Sequence, residues 1–163
     1  MNSVAVQKTV TASQLVVEEV RKQVGPMFPI FVRISADELM EGGNTLEDTL
    51  ELLSYFQEEV DAFDVSAGLN GSLQFQIDAN YLKDGWRSYM AKAVREKYNK
   101  PCVTMGNIRD PRVADDILAR GDADIIGMGR GLIADPEWVN KVEFGNECDI
   151  RKCISCNIGC AGH

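Results

Sequence analysis

Three cysteines near the carboxyl end of the sequence have the spacing of a metal-binding loop. Cys153, Cys156 and Cys160 form a C-x2-C-x3-C pattern within the last eleven residues. This spacing brings three thiolates together, as an iron–sulfur cluster or a zinc site requires. Three ligands complete neither site, so the fourth is Cys148, His163 or a residue outside this sequence. The alternative is that the cysteines are free thiols on a disordered tail.

A charged residue interrupts one of the apolar segments. Arg33 lies in the run PIFVRI at residues 29–34, which is typical of a short strand. An unpaired charge within such a strand is unfavourable, so Arg33 must meet a carboxylate or an electron-rich ligand. Two interpretations stay open: an ion pair with Glu38, Asp64 or a similar acid, or contact with an electron-rich ligand.

Two glycine-containing segments have the composition of a phosphate site. Gly106 with Asn107, and Gly129 with Arg130, each follow an apolar run and precede a helix start. In barrels, the loops after the last two strands commonly hold a phosphate through backbone N–H groups. Glycine permits close approach, and Arg130 could add charge-assisted hydrogen bonds. The alternative is a pair of ordinary glycine turns, with Arg130 bound to an acid such as Asp135.

The remaining sequence predicts the elements that position these residues. Apolar side chains at helical spacing indicate an amphipathic helix near residues 11–24, with an apolar face of Leu15, Val16, Val20 and Val24. Four short apolar runs then predict strands at residues 29–34, 63–66, 101–105 and 123–129. A helix is expected after each strand.

Local signals place those later helices. The first begins with a capping box of Thr45 and Asp48, and its apolar face consists of Leu46, Leu50, Leu53 and Val60. Others are expected at residues 89–98, from 110 to a stop at Gly121, and from 135 to about 144. Residues 69–85 have no clear period and exceed the ~2–6 residues of a typical βα loop, which favours a functional loop.

Strands that alternate with helices imply a parallel sheet with right-handed crossovers. Four strand–helix units preceded by one helix fit either a small open doubly wound sheet or half of a TIM (β/α)8 barrel. A complete barrel typically needs about 250 residues, more than this chain has. In both folds functional groups lie at the carboxyl ends of the strands, where Arg33, Gly106 and Gly129 are expected.

Composition limits the classes of function. The chain has 163 residues, 45% of them hydrophobic and 26% charged, which is ordinary globular composition. A net charge of −8 provides no basic surface for nucleic acid or an anionic membrane. No apolar run is long enough for a membrane span, and the first ten residues lack a signal-peptide block. We therefore expect a cytoplasmic protein in which any bound anion is held locally.

Four collinear segments resemble the Old Yellow Enzyme superfamily of flavoenzymes. They are residues 28–35 (FPIFVRIS), 110–124 (DPRVADDILARGDAD), 127–136 (GMGRGLIADP) and the cysteine segment from residue 149 onward. The cysteines resemble those of its iron–sulfur branch, which includes 2,4-dienoyl-CoA reductases, 2-enoate reductases and trimethylamine dehydrogenase. The resemblance extends from about residue 15 to about residue 160.

The resemblance implies an FMN-binding barrel of which this chain forms strands five to eight. Residues 1–147 would be the half-barrel and residues 148–163 a truncated iron–sulfur segment. Arg33 would approach the pyrimidine side of the flavin. The phosphate of FMN would be held by Gly106, Asn107, Gly129 and Arg130.

The family's electron path is implied in the same way. Cys153, Cys156 and Cys160 would be three ligands of a [4Fe–4S] cluster whose fourth cysteine lies beyond His163. The cluster would relay electrons between FMN and a following NAD(P)H-binding region. Dienoyl-CoA reductases have a histidine after the sixth strand where this sequence has Asn70, which favours the enoate-reductase or NADH:flavin oxidoreductase side.

The resemblance therefore implies part of an enzyme that transfers hydride from reduced FMN to an activated C=C bond of a small-molecule substrate, such as an enoate or enoyl thioester. The first half of such a barrel, with the tyrosine that would protonate substrate, has no counterpart here, so no proton donor is assigned. A second hypothesis is an inactive half-barrel that self-associates and retains at most FMN or phosphate binding. A third is a zinc-ribbon-like interaction module at residues 148–163.

Overall fold

The computed structural model describes the backbone of residues 3–161 and the side chains of residues 12–160. Its strands are β1 (Phe31–Ser35), β2 (Ala62–Ser66), β3 (Cys102–Thr104) and β4 (Ile125–Ile126). The helices up to β3 are α1 (Ser3–Val24), α2 (Leu46–Leu53), α3 (Leu73–Gln76) and α4 (Ser88–Tyr98). The later helices are α5 (Pro111–Ala119), α6 (Arg130–Ala134), α7 (Trp138–Glu143) and α8 (Ile158–Ala161).

The four strands form one parallel sheet in the order β1-β2-β3-β4. A doubly wound sheet reverses its strand order at a switch point, whereas a (β/α)8 barrel adds strands in sequence order. The sequential order therefore decides between the two predicted architectures, and the fold is half of a TIM barrel. Four βα units preceded by α1 are confirmed.

The core lies between the outer face of the sheet and the helices that follow the strands. Strand side chains alternate between faces, so Phe63 and Val65 of β2 point outward and are fully buried. Leu53 of α2, Met90 of α4 and Ile117 of α5 pack in the same hydrophobic cluster. Helices on the outer face thus stabilise the sheet and fix where its strands end.

The inner face of the sheet is open. Phe31 is 56% exposed and Ile125 is 44% exposed, although both lie on strands. A concavity of about 530 Å³ runs along this face past Arg33, Asp64 and Val103. In a complete barrel, layers of side chains from all the strands fill this space.

Most predicted elements are present, with several corrections. The Thr45 capping box is confirmed, because the Thr45 side chain accepts from the Asp48 N–H and Asp48 accepts from the Thr45 N–H. Val60 is not on the same helix as Leu53, since α2 ends at Leu53 and a separate 3-10 turn, Gln57–Glu59, intervenes. Residues 69–85 contain a 3-10 turn and the single-turn helix α3.

The ends of the chain differ further from expectation. α1 begins at Ser3, about two turns before the predicted start. Its predicted apolar face is largely solvent-exposed, and Val17 is the helix residue that is buried among the described side chains. β4 has two residues instead of seven, and the segment after it forms α6, which the sequence pattern did not predict. No helix within residues 3–161 is long and apolar enough to cross a membrane.

Candidate cofactor site

A cleft of about 360 Å³ lies at the carboxyl ends of β3 and β4. The segments from Met105 to Arg109 and from Gly127 to Gly131 line it. Loop residues 76–78 and the cysteine segment close its sides. Met105 and Gly129 also line the inner-face concavity that contains Arg33, so the two spaces are adjacent. The structure thus places Gly106, Asn107, Gly129 and Arg130 in the cleft and Arg33 in the concavity beside it.

Arg130 is held in this cleft by several acceptors. Its Nη1 donates to the Asp78 carbonyl at 2.9 Å and to Oδ1 of Asn157. Its Nη2 donates to Oδ1 of Asn107 at 3.2 Å and lies 3.4 Å from Oδ2 of Asp78. Asp135, the predicted alternative partner, binds Lys141 instead, at 2.7 Å. Nε of Arg130 has no acceptor among the described residues and remains available to a ligand.

A buried carboxylate organises the positive charge beneath the cleft. Asp78 is 2% exposed and Arg87 is 3% exposed, and they form an ion pair of 2.7 Å. Trp86 donates its indole N–H to the other oxygen of Asp78, also at 2.7 Å. Because Arg87 and Arg130 share this one carboxylate, the group carries a net positive charge.

The environment of Arg87 shows that cationic groups converge here. Burial lowers the pKa of the Arg87 guanidinium, and its partner Asp78 opposes that shift. The charges of Arg33 and Arg130 lower the pKa further. Arginine nevertheless stays protonated near neutral pH, so the cleft attracts anions.

Glycine occurs at the two predicted positions, 106 and 129, for different structural reasons. Gly106 has φ +124°, and a Cβ there would lie 2.4 Å from Nε of Arg87, so packing alone requires glycine. Gly129 has no atom within 4 Å of an added Cβ, and its open side lines the cleft. Open space beside a cleft glycine fits the close approach of a ligand.

Backbone donors also remain unpaired at the cleft. The N–H groups of Gly106, Asn107, Gly129 and Arg130 make no hydrogen bond within the described part of the chain. Unpaired N–H groups next to positive charge are the donors that a phosphate requires. The residues present therefore fit the phosphate group of a cofactor.

The side chain of Asn107 acts within the protein. Asn107 is 6% exposed, and its Nδ2 donates to the carbonyls of Ala79 and Leu82 at 3.0 and 3.3 Å. Its Oδ1 accepts from Ser155 and Arg130. Asn107 thereby connects the loop of residues 69–85 with the cysteine segment, and only its backbone N–H is left for a ligand.

Arg33 extends into the open inner face, with its side chain 58% exposed. It binds Asp64 on the neighbouring strand at 2.9 Å and lies 3.3 Å from the sulfur of Met105. Asp64 was one of the ion-pair partners considered from the sequence, and the pair is present. The exposed guanidinium still faces the concavity, so the pairing leaves room for a cofactor.

The cysteine segment packs against the cleft. Ser155 is 3% exposed and donates its Oγ proton to Asn107 at 2.7 Å. Lys152 binds Asp110 at 2.7 Å, and the Arg151 N–H donates to Asp135 at 2.8 Å. These two carboxyl groups have lowered pKa values. The pKa of Asp110 is lowered mainly by Arg112 and then by Lys152. The pKa of Asp135 is lowered mainly by Lys141 and then by the Arg151 N–H.

The thiols themselves do not converge in this structure. Cys153 and Cys160 line the cleft, and of the three cysteines Cys153 is half-buried whereas Cys156 and Cys160 are exposed. Among the side chains of residues 12–160, no group of three or more cysteine, histidine or acidic residues is close enough to hold a metal ion. His163 lies outside the described residues. The metal-ligand assignment of Cys153, Cys156 and Cys160 stays a prediction.

Sequence reasoning missed several groups that form the site. Asp78 and Arg87 flank the long loop but have no motif that marks them as a pair. Ser155 and Asn157 lie between the cysteines, and the sequence drew attention only to the sulfurs. The one signal for Asp78 was the unusual length of the segment 69–85, which indicated function without indicating which residue.

This half-barrel has a cationic cleft after its last two strands, where (β/α)8 barrels frequently have a phosphate-binding site. The chain belongs to the NADH:flavin oxidoreductase / NADH oxidase family, whose sequence profile matches residues 13–149. This confirms the resemblance on which the sequence analysis relied. Enzymes of this family are FMN-dependent oxidoreductases, and in related branches a [4Fe–4S] cluster and NAD(P)H accompany the flavin.

Individual relatives agree with this assignment. The chain is 44% identical over 148 residues to an NADH oxidase of Thermoanaerobacter brockii. The aligned residues cover 90% of this chain and 23% of the relative. It is 27% identical to a cinnamate reductase of Clostridium sporogenes, over 90% of this chain and 24% of the relative. The chain therefore spans about a quarter of the length of these relatives.

Solved structures of similar proteins have the same fold. A 2-naphthoyl-CoA reductase superimposes with a TM-score of 0.86 at 30% identity, over 93% of this chain and 23% of that one. Histamine dehydrogenase from Rhizobium sp. 4-9 superimposes with a TM-score of 0.78 at 31% identity, over 90% of this chain and 21% of that one. These coverages agree with a half-barrel.

The fifth cysteine, Cys102, provides a testable consequence of burial. It is fully buried on β3, and burial, followed by the nearby charge of Asp124, raises the pKa of its thiol to about 12. The reactive thiolate is therefore scarce at pH 8.5 in the folded chain. We expect iodoacetamide at pH 8.5 to modify exposed Cys148 and to leave Cys102 unmodified, as read by peptide mass spectrometry. Equal modification of both in the folded chain would contradict this, and in 6 M guanidinium both should react.

Proposed function

We propose that this chain is the FMN-holding half of an ene-type reductase. In the proposal, Arg130 and the N–H groups of Gly106, Asn107, Gly129 and Arg130 hold the phosphate, and Arg33 faces the pyrimidine side of the flavin. The observation that carries it is the cleft in which two arginines share one carboxylate beside four unpaired N–H groups. Bound FMN would supply hydride to an activated C=C bond.

The relatives' names support the finer choice of substrate class. One relative is a cinnamate reductase and one structural neighbour is a 2-naphthoyl-CoA reductase. Cinnamate and 2-naphthoyl-CoA both carry a carboxyl-derived carbonyl that is conjugated with an unsaturated system. We propose a conjugated acid or thioester as the substrate of the whole protein, with NAD(P)H as its source of electrons.

The chain's own residues contribute binding and electrostatics to this reaction. Arg33 would stabilise negative charge on the reduced flavin, because its guanidinium is exposed to the concavity while Asp64 fixes its position. Arg87 orients the strand end by donating to the Met105 carbonyl at 2.7 Å. The proton that completes the reduction has no assigned donor among these residues.

Cys153, Cys156 and Cys160 are proposed as three ligands of a [4Fe–4S] cluster in the whole protein. The segment 148–163 would then be a separate functional region that follows the half-barrel of residues 1–147. All five cysteines are free thiols, and such use of cysteine is typical of a reducing compartment. We propose a cytoplasmic location on that ground.

Removing Arg130 should weaken FMN binding. We expect Arg130→Ala to raise the Kd for FMN about tenfold or more, because a charge-assisted contact to the phosphate is lost. The Kd is measured by quenching of flavin fluorescence, with inorganic phosphate as competitor. Arg112→Ala is the matched control, since Arg112 has a 79% exposed side chain outside the cleft. An unchanged Kd for Arg130→Ala would reject the role of this residue.

The cysteine assignment predicts a specific metal content. After anaerobic reconstitution with ferrous iron and sulfide, we expect bound iron and acid-labile sulfide that fall sharply in Cys153→Ser. Cys148→Ser should retain both, because the family resemblance places the fourth ligand farther along the protein. Zinc bound without iron or sulfide would instead support a zinc-dependent interaction module.

A second candidate is an inactive half-barrel that self-associates. The open inner face exposes Phe31 and Ile125, and β1 and β4 are both edge strands. Exposed edges and apolar faces promote pairing with another chain. A second copy of this chain could cover both, which makes a homodimer the proposed oligomer.

Light scattering tests this candidate directly. At about tens of micromolar, a concentration at which exposed apolar surface promotes association, we expect a dimer. Phe31→Glu should shift the chain to monomer, because it places a charge on the face that pairs. Phe144→Glu is the control, since Phe144 is 72% exposed just after α7 and away from the sheet. A wild-type monomer would exclude self-association as the way in which the inner face is covered.

A further inference from the structure

The cysteine loop, defined as residues 153–160, contacts the cleft through the side chains that lie between its sulfurs. Asn157 accepts from Nη1 of Arg130 through Oδ1 and donates through Nδ2 to the Ile77 carbonyl at 2.7 Å. Ser155 donates to Oδ1 of Asn107 at 2.7 Å. These contacts hold three residues that line the cleft: Ile77, Asn107 and Arg130.

These contacts are specific and shielded from solvent. Ser155 and Asn107 are both nearly fully buried, and Oδ1 of Asn107 receives Ser155 and Arg130 together. Arg109 reinforces the arrangement, since its Nη1 reaches the Cys153 carbonyl at 3.4 Å and Ser155 at 3.5 Å. One hydrogen-bonded network therefore connects the cysteine loop to the guanidinium of Arg130.

The backbone of the loop is shaped to make these bonds. Ser155 has φ +50° and Asn157 has φ +59°, the left-handed region that non-glycine residues rarely occupy. Two such residues in three positions turn the Ser155 and Asn157 side chains toward the cleft. Binding metal through Cys153, Cys156 and Cys160 does not by itself require a serine or an asparagine at these positions.

We propose that Asn157 and Ser155 are positioning residues of the anion site, so that phosphate binding and docking of the cysteine loop stabilise each other. The docked loop holds the Arg130 guanidinium in place, which favours the phosphate. By thermodynamic reciprocity, bound phosphate favours the docked loop. This inference rests on the proposed function, in which Arg130 belongs to a phosphate site.

The coupling has a readout that needs neither flavin nor cluster. Cys153 lines the cleft and is half-buried, so docking of the loop shields its thiol. Two other cysteines serve as internal standards, since Cys148 is exposed elsewhere and Cys102 is buried in the sheet. Inorganic phosphate should therefore slow alkylation of Cys153 and leave Cys148 unaffected.

Glycine substitutions remove the two side chains without backbone strain, because glycine occupies positive φ freely. The test compares Asn157→Gly and Ser155→Gly with wild type in the reduced, chelator-treated chain. Asn99→Gly is the matched control, since Asn99 also has positive φ, +51°, and lies exposed at the end of α4. Calorimetry gives the Kd for inorganic phosphate, and mass spectrometry gives the alkylation rate of each cysteine.

In wild type and Asn99→Gly, we expect saturating phosphate to slow alkylation of Cys153 about fivefold, within the usual range of coupling. Asn157→Gly should weaken phosphate binding about tenfold, as loss of a hydrogen bond to a charged group does, and should abolish the protection. Ser155→Gly should act in the same direction, which keeps the test decisive if one variant fails to fold.

The outcomes separate this inference from the proposed function. Wild type that binds phosphate with no protection of Cys153, or with faster alkylation, overturns the coupling and leaves the phosphate site intact. An unchanged phosphate Kd in both variants does the same. Absence of phosphate binding in wild type overturns the anion site and the inference together.

Discussion

The buried carboxylate of Asp78 is the constraint on which the cleft depends. It receives the indole of Trp86 and the guanidinium of Arg87 at hydrogen-bond distance, and Arg130 lies 3.4 Å from the oxygen that Arg87 binds. Removing one partner of such a buried pair typically costs about 3–5 kcal/mol, because the other charge is left uncompensated. Two arginines against one carboxylate leave a positive surplus that no described protein group neutralises. The residues around Asp78 therefore form a rigid framework, and their net positive charge favours the binding of an anion.

The same arrangement explains why Gly106 and the long loop have their conformations. Arg87 occupies the space that a side chain at position 106 would need, and it holds the Met105 carbonyl. Asn107 then binds the carbonyls of Ala79 and Leu82, which fastens the loop of residues 69–85 over the strand ends. A segment without any sequence periodicity is thus ordered by contacts with buried polar groups. The loop of residues 69–85 is ordered because it contacts the cleft residues, and it is long because it must extend across the strand ends.

The two faces of the sheet differ in burial: the outer face is covered and the inner face is open. On the outer face, helices bury a continuous apolar cluster, and this face accounts for the stability of the four βα units. On the inner face, Phe31 and Ile125 remain exposed and Asp64 keeps one buried oxygen without a partner among the described residues. An unpaired buried oxygen and an exposed apolar wall both indicate a surface shaped to be covered. The relatives, four times as long, contain far more chain than these four units.

The amino-acid sequence by itself determined the alternation of strands and helices, the capping box at Thr45 and the membership of a flavoenzyme family. These features depend on residue type and local spacing, which a linear pattern records directly. Tertiary structure alone decided that the strands follow sequence order, that Val60 lies outside α2, and that the predicted apolar face of α1 is exposed. It also decided that Asp78, Arg87, Ser155 and Asn157 converge on Arg130. Those contacts join residues up to eighty positions apart, and no local preference encodes which distant side chains will meet once the strands are aligned.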